Sequence, residues 1–108
     1  MIGLIKTELA ESNSCVLRKT FIFFCKSCVN TFSKSFFKTN FLESYMSLSR
    51  DKVAAVRMEF AHSLLYIKPF FDGETLICND LMKILTQMHS DPDRDVVEAV
   101  EQCDYELL

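Results

Sequence analysis

Cys25 and Cys28 form a CxxC, the first candidate for chemistry. A zinc site needs four ligands, and no second CxxC or His pair stands at suitable spacing. A thioredoxin-type pair sits where a strand enters a helix, whereas this one lies inside a helical apolar stripe, where small core residues are expected. His62 and His89 are the only histidines and fall on different helices. His89 reads as a residue at a helix C-terminus, where the dipole favours it. No Ser-His-Asp or Cys-His set is assembled, and no nucleophile has an evident base. The run Asp91-Pro92-Asp93-Arg94-Asp95 has the acids of a calcium loop but no Gly. It lacks the twelve-residue EF-hand pattern and suits a helix start. The residues therefore predict no enzyme, no metal and no cofactor.

The elements that would carry these residues are helical. Only 2 Gly occur in 108 residues, too few for the tight turns of an all-β domain. Apolar residues recur at helical spacing in five stretches. They are Leu17, Phe21, Phe24, Cys25 and Cys28; Phe37, Phe41, Tyr45 and Leu48; Val53, Val56, Phe60, Leu64 and Ile67; Ile77, Leu81, Ile84, Leu85 and Met88; and Val96, Ala99, Val100 and Cys103. Residues 1–10 read as the end of another helix. Ile22 and Phe23 make the first stretch apolar nearly all round, which predicts burial on several sides. Ser33, Asp51 and Asp91 are candidate caps. Pro69 opposes continuation of the third helix, and Gly73 allows a turn.

The chain also repeats itself. A shift of 40 places Asp51 on Asp91, Val56 on Val96, Phe37 on Ile77 and Phe41 on Leu81. A shift of 39 places Leu17-Arg18 on Val56-Arg57 and Phe21 on Phe60. A helix-hairpin period near 40 predicts an all-α fold, an α-solenoid of antiparallel hairpins of the HEAT/armadillo kind. Repeats span 12–48 and 51–89, with 91–108 opening a further one.

Charge and cysteine use narrow the function. The net charge is −3, against the basic balance of a nucleic-acid groove. Residues 1–50 carry seven Lys/Arg and three Asp/Glu, and residues 51–108 carry five and twelve, so the halves stand at +4 and −7. The longest apolar run, 21–25, is far short of the roughly 20 residues of a membrane span. Five cysteines, an odd number, follow an opening stretch broken by Lys6, Glu8 and Glu11. Free thiols in a reducing, cytoplasmic compartment are expected. Residues 1–10 without a partner helix and the closing Leu107-Leu108 predict ends that are uncapped and open to self-association.

The segment Asp51-Lys52-Val53-Ala54-Ala55-Val56-Arg57-Met58-Glu59-Phe60-Ala61 resembles the first helix of a HEAT repeat. The style is similar to the scaffold and regulatory subunits of Ser/Thr protein phosphatases, most like the regulatory subunits of protein phosphatase 4. The resemblance implies a non-catalytic segment that binds a phosphatase catalytic subunit. It implies a ladder between repeats built from Asp51 and Arg57, with Arg18 and Asp91 at the matching positions. Ser12 replaces the first Asp and Val97 the third Arg, which shortens that ladder. It also implies that the turns within hairpins, near 30–35 and 69–74, form a partner-binding ridge. The contact candidates there are Lys34, Lys38, Phe70, Phe71 and Asp72, with Phe70 and Phe71 read either as an exposed anchor or as tucked under the hairpin. A transport or trafficking adaptor is the alternative expectation; it would bind a GTPase, or a basic peptide on the acidic stretch 91–106.

Overall fold

A computed structural model describes the backbone of residues 2–107 and the side chains of 3–103. Leu108 and the side chain of Leu107, expected to end the chain on apolar residues, lie outside these limits. Among the described residues every element is helical. Helix α1 (Ile2–Ile5) widens into a π turn (Lys6–Ala10), closed by the Glu11 N–H donating to the Lys6 carbonyl at 2.8 Å. Then follow α2 (Cys15–Thr31), α3 (Lys34–Asn40), α4 (Leu42–Ser47), α5 (Ala54–Ile67), α6 (Thr75–Met88) and α7 (Arg94–Leu107). No helix among the described residues is long and apolar enough to cross a membrane.

The expected stripes become the core, except for Leu17, which is exposed at the start of α2. Phe21, Cys25, Cys28, Phe37, Phe41, Tyr45, Val56, Phe60, Leu64, Ile67, Ile77, Leu81, Leu85, Val96 and Val100 are buried in one cluster. Ile22 joins it, but Phe23 is exposed, so α2 is not covered on all sides as its composition suggested.

The second predicted helix is interrupted. The Asn40 side-chain amide donates to the Phe36 carbonyl at 2.9 Å, competing with the backbone donor for that acceptor. Phe41 leaves helical geometry at φ −126° and ψ −18°, which divides α3 from α4. A 3-10 turn (Leu48–Arg50) then ends α4.

α2 and α3–α4 are antiparallel. Phe32 stacks on Phe36 at 4.6 Å beside the turn, and Phe24 meets Phe41 at 5.2 Å further from it on both arms. The Ser33 hydroxyl accepts the Phe36 N–H at 3.1 Å, so Ser33 is the cap. Gly73 adopts φ 80°, the left-handed turn that glycine permits at no steric cost. α5 packs between α2 and α7, and the π turn after α1 lies against α2 and α4.

Candidate functional site

The charged contacts recur at three loops, each just before a long helix. In the loop 12–14 the Ser12 hydroxyl accepts the Ser14 N–H at 3.0 Å. In 51–53 Asp51 Oδ1 accepts the Val53 N–H at 2.8 Å, and in 91–93 Asp91 Oδ1 accepts the Asp93 N–H, also at 2.8 Å. Asp and Ser suit this turn because their short side chains reach the backbone two residues on.

An arginine on the following helix ties each loop to the next. Arg18 on α2 donates Nη1 to the Ser12 carbonyl at 2.8 Å, and its Nε and Nη2 grip the Asp51 carboxylate at 2.6 and 3.0 Å. Arg57 on α5 repeats the pattern. Its Nη1 reaches the Asp51 carbonyl at 2.6 Å, and Nε and Nη2 hold Asp91 at 2.7 and 3.1 Å. The planar guanidinium matches a carboxylate in this two-bond geometry, with a third donor left for the loop carbonyl. The first rung is almost fully buried and the second slightly less so. The hydrogen bond to Asp51 holds the Arg18 guanidinium above its ordinary pKa, against the opposing cost of burial.

These rungs correct one expectation. Asp51 and Asp91 are not helix caps, because their carboxylates are taken by the arginine and by the N–H two residues on. Val53 and Asp93 occupy the cap positions, and Asp93 Oδ1 accepts the Asp95 N–H at 2.9 Å and the Val96 N–H at 3.4 Å.

The two turns expected to form a ridge come together. Lys34 Nζ donates to the Asp72 carbonyl, and Lys38 Nζ lies 3.4 Å from Glu74 Oε2, so the two hairpin turns touch. Asp72 thus takes part through its backbone. Between the two readings of Phe70 and Phe71 the structure decides: only 5% and 4% exposed, they are tucked into the core and are not a surface anchor. A 3-10 turn (Lys68–Phe70), started by Pro69, swings Phe70 inward to stack on Phe37 at 4.5 Å with rings 7° apart.

The CxxC is buried inside α2. Burial, and then the neighbouring Cys28, push the Cys25 thiol up. Burial pushes Cys28 up to about 11, so both remain protonated near neutrality. His62 is exposed, and His89 follows the last residue of α6, its N–H donating to the Leu85 carbonyl at 3.0 Å. Among the described residues no three His, Cys, Asp or Glu side chains converge as ligands.

Three features escaped the sequence. Tyr45, wholly buried, shares a 2.6 Å hydrogen bond with Ser63, which also donates to the Phe60 carbonyl. Lys26 lies over the rings of Phe23 and Tyr66, at 5.1 and 4.4 Å. A groove of about 650 Å³ runs between α4 and α6, with Leu42, Met46, Ile77 and Ile84 among its apolar lining and Arg50, Asp80 and Lys83 among its charged lining. All three join residues distant in sequence. Only the placement of Tyr45 on its stripe gave a hint.

Compared with known proteins, the chain matches no protein family, no curated protein and no solved structure.

Proposed function

We propose that this chain is a HEAT-type helical scaffold segment that binds a Ser/Thr protein phosphatase catalytic subunit and has no catalytic activity of its own. The observation that carries the reading is the two-rung ladder. Arg18–Asp51 and Arg57–Asp91 repeat the same contacts after 39 and 40 residues, at positions where the phosphatase scaffolds the chain resembles place theirs. The row α2–α5–α7 and the touching hairpin turns also suit a solenoid. In this reading the partner meets the ridge through Lys34, Lys38 and the 72–74 turn.

The test is affinity capture of the tagged chain from cytosol, followed by mass spectrometry. A phosphatase 4 or 2A catalytic subunit is expected, and Lys34→Glu with Lys38→Glu should abolish its recovery. Both lysines lie on the ridge, outside the core, so the variant separates partner loss from unfolding. A folded chain that captures neither subunit sinks the proposal.

One observation favours the adaptor reading: Asp95, Glu98 and Glu101 are all exposed on α7. They would receive a basic peptide. Recovery of cargo, a GTPase or coat components, lost on Glu98→Lys with Glu101→Lys, would decide for it.

A further inference from the structure

The segments 48–53 and 88–93 are repeat mates, and each carries a rung aspartate, Asp51 or Asp91. They differ in the residue just before it. A shift of 40 places Arg50 on Ser90, and both are exposed. The fold brings the two together. Arg50 and Ser90 line one open pocket of about 320 Å³ between the segments, with Asp51, Arg57, Gln87 and Asp91. Both carboxylates there are engaged, Asp51 by Arg18 and Asp91 by Arg57. Arg57 also donates to the Asp51 carbonyl. Arg50 has no ion-pair partner among the described residues. The pocket thus holds one guanidinium unanswered by an anion, beside Ser90.

The sequence around Ser90 supplies the other half. Ser90 is followed by Asp91, Asp93 and Asp95. Of every Ser and Thr in the chain, Ser90 alone has an acidic residue three positions on. Protein kinases select substrates by charge pattern, and one with a basic substrate groove takes a hydroxyl that acids follow. Ser90 stands in the turn after α6, where its backbone N–H donates to the Gln87 carbonyl at 3.1 Å. Asp95 is exposed, and Asp93 caps α7 through Oδ1 alone, which leaves Oδ2 for a partner.

We infer that Ser90 is the phosphorylation site of an acid-directed serine kinase, and that its phosphate pairs with Arg50. The kinase transfers the γ-phosphoryl group of ATP to Ser90 Oγ. The bond to ADP breaks, the Oγ–P bond forms, and the hydroxyl proton passes to the kinase's base. A phosphoserine carries about −1.5 to −2 charges at pH 7 and three acceptor oxygens. Arg57 is committed to Asp91, so Arg50 is the guanidinium of the pocket left to take the phosphate in a two-bond geometry. The new pair ties the segment before α7 to the segment before α5, beside the Arg57–Asp91 rung. This inference does not depend on the partner proposed above.

Treatment of the folded full chain with a purified acid-directed serine kinase and ATP, followed by mass spectrometry, tests the site. One phosphate, at Ser90, is expected. Asp93→Asn keeps a side-chain oxygen to cap α7 and should slow incorporation at least tenfold. Thermal melts test the pairing. The phosphorylated chain should melt a few degrees above the unmodified one. Arg50→Ala should remove that gain, and Arg94→Ala should leave it. Arg50 and Arg94 are both exposed, so neither variant opens the core. A folded chain that takes no phosphate, or takes it elsewhere, overturns the inference. So does incorporation indifferent to Asp93→Asn, a melt that phosphorylation leaves unchanged or lowers, or a gain that survives Arg50→Ala.

Discussion

Opposite charges meet in two regions of this molecule with different consequences. At the loops before the long helices, Arg18 and Arg57 hold Asp51 and Asp91 through paired bonds of 2.6–3.1 Å, nearly shut off from water. At the hairpin turns, Lys38 and Glu74 meet at 3.4 Å in the open. A buried pair is hard to break because the survivor is left as an unpaired buried charge. An exposed pair contributes little, because water screens it and both long side chains lose freedom to form it. The buried pairs therefore fix the spacing of the loops they join, and the exposed pair leaves its charges in water.

The largest effects should come from the ladder. Arg18→Ala leaves Asp51 without its guanidinium and is expected to cost about 3–5 kcal/mol, a large share of the 5–15 kcal/mol typical of a domain. Arg57→Ala, at the less buried rung, should cost less. Thermal melts of both variants would rank them. Equal and small losses would mean that apolar packing alone sets the register.

Phe70→Ala alters the turn at 69–74 without touching its charges. Removing a buried aromatic that stacks on Phe37 should cost about 3–5 kcal/mol. A loss below about 0.5 kcal/mol, the range of surface substitutions, would return Phe70 to the surface role. Tyr45→Phe should cost less, about 1 kcal/mol, for one lost hydrogen bond to Ser63, which keeps its bond to Phe60.

The buried cysteines add a pH test. Folding raises the Cys28 thiol from its ordinary 9.0 to about 11, and burial raises Cys25 too. The folded state thus binds these protons more tightly than the unfolded chain. The stabilisation is complete below pH 9 and is lost as pH rises from 9 towards 11, where the unfolded chain gains by ionising. Cys25→Ala with Cys28→Ala, compared with the parent in melts from pH 8 to 11, should flatten that decline. Thiol-modifying reagents at pH 8 should reach half-buried Cys15 before either CxxC thiol.

What the sequence disclosed follows the range of the forces involved. The helices were legible because burying one side of a helix imposes its own spacing on the residues, as in Phe37, Phe41 and Tyr45. The residues of the ladder were legible through the resemblance to a HEAT repeat, in which an Asp stands six residues before an Arg, as Asp51 does before Arg57. The break at Phe41 was not, because the apolar spacing runs on through it and the Asn40 side-chain bond beside it leaves no mark on that spacing. Asp91 was misplaced as a cap because two acids two residues apart both suit a helix start. Only the distant Arg57 shows which one is already engaged. Phe70 was undecided for a similar reason, since the turn chemistry of 69–73 is local but its stacking partner, Phe37, lies in the preceding hairpin.

The smallest effect belongs to the exposed pair. Lys38→Ala removes the ridge ion pair and should change stability by no more than about 0.5–1 kcal/mol, with the melt little moved. Asp91→Asn keeps the shape of the second rung but removes its charge, and by the reasoning above should cost several times more. If the two variants cost the same, burial of the ladder contributes nothing beyond an ordinary surface pair. If Lys38→Ala is the costlier, the contact between the two turns and not the arginines fixes how the helix pairs sit on each other.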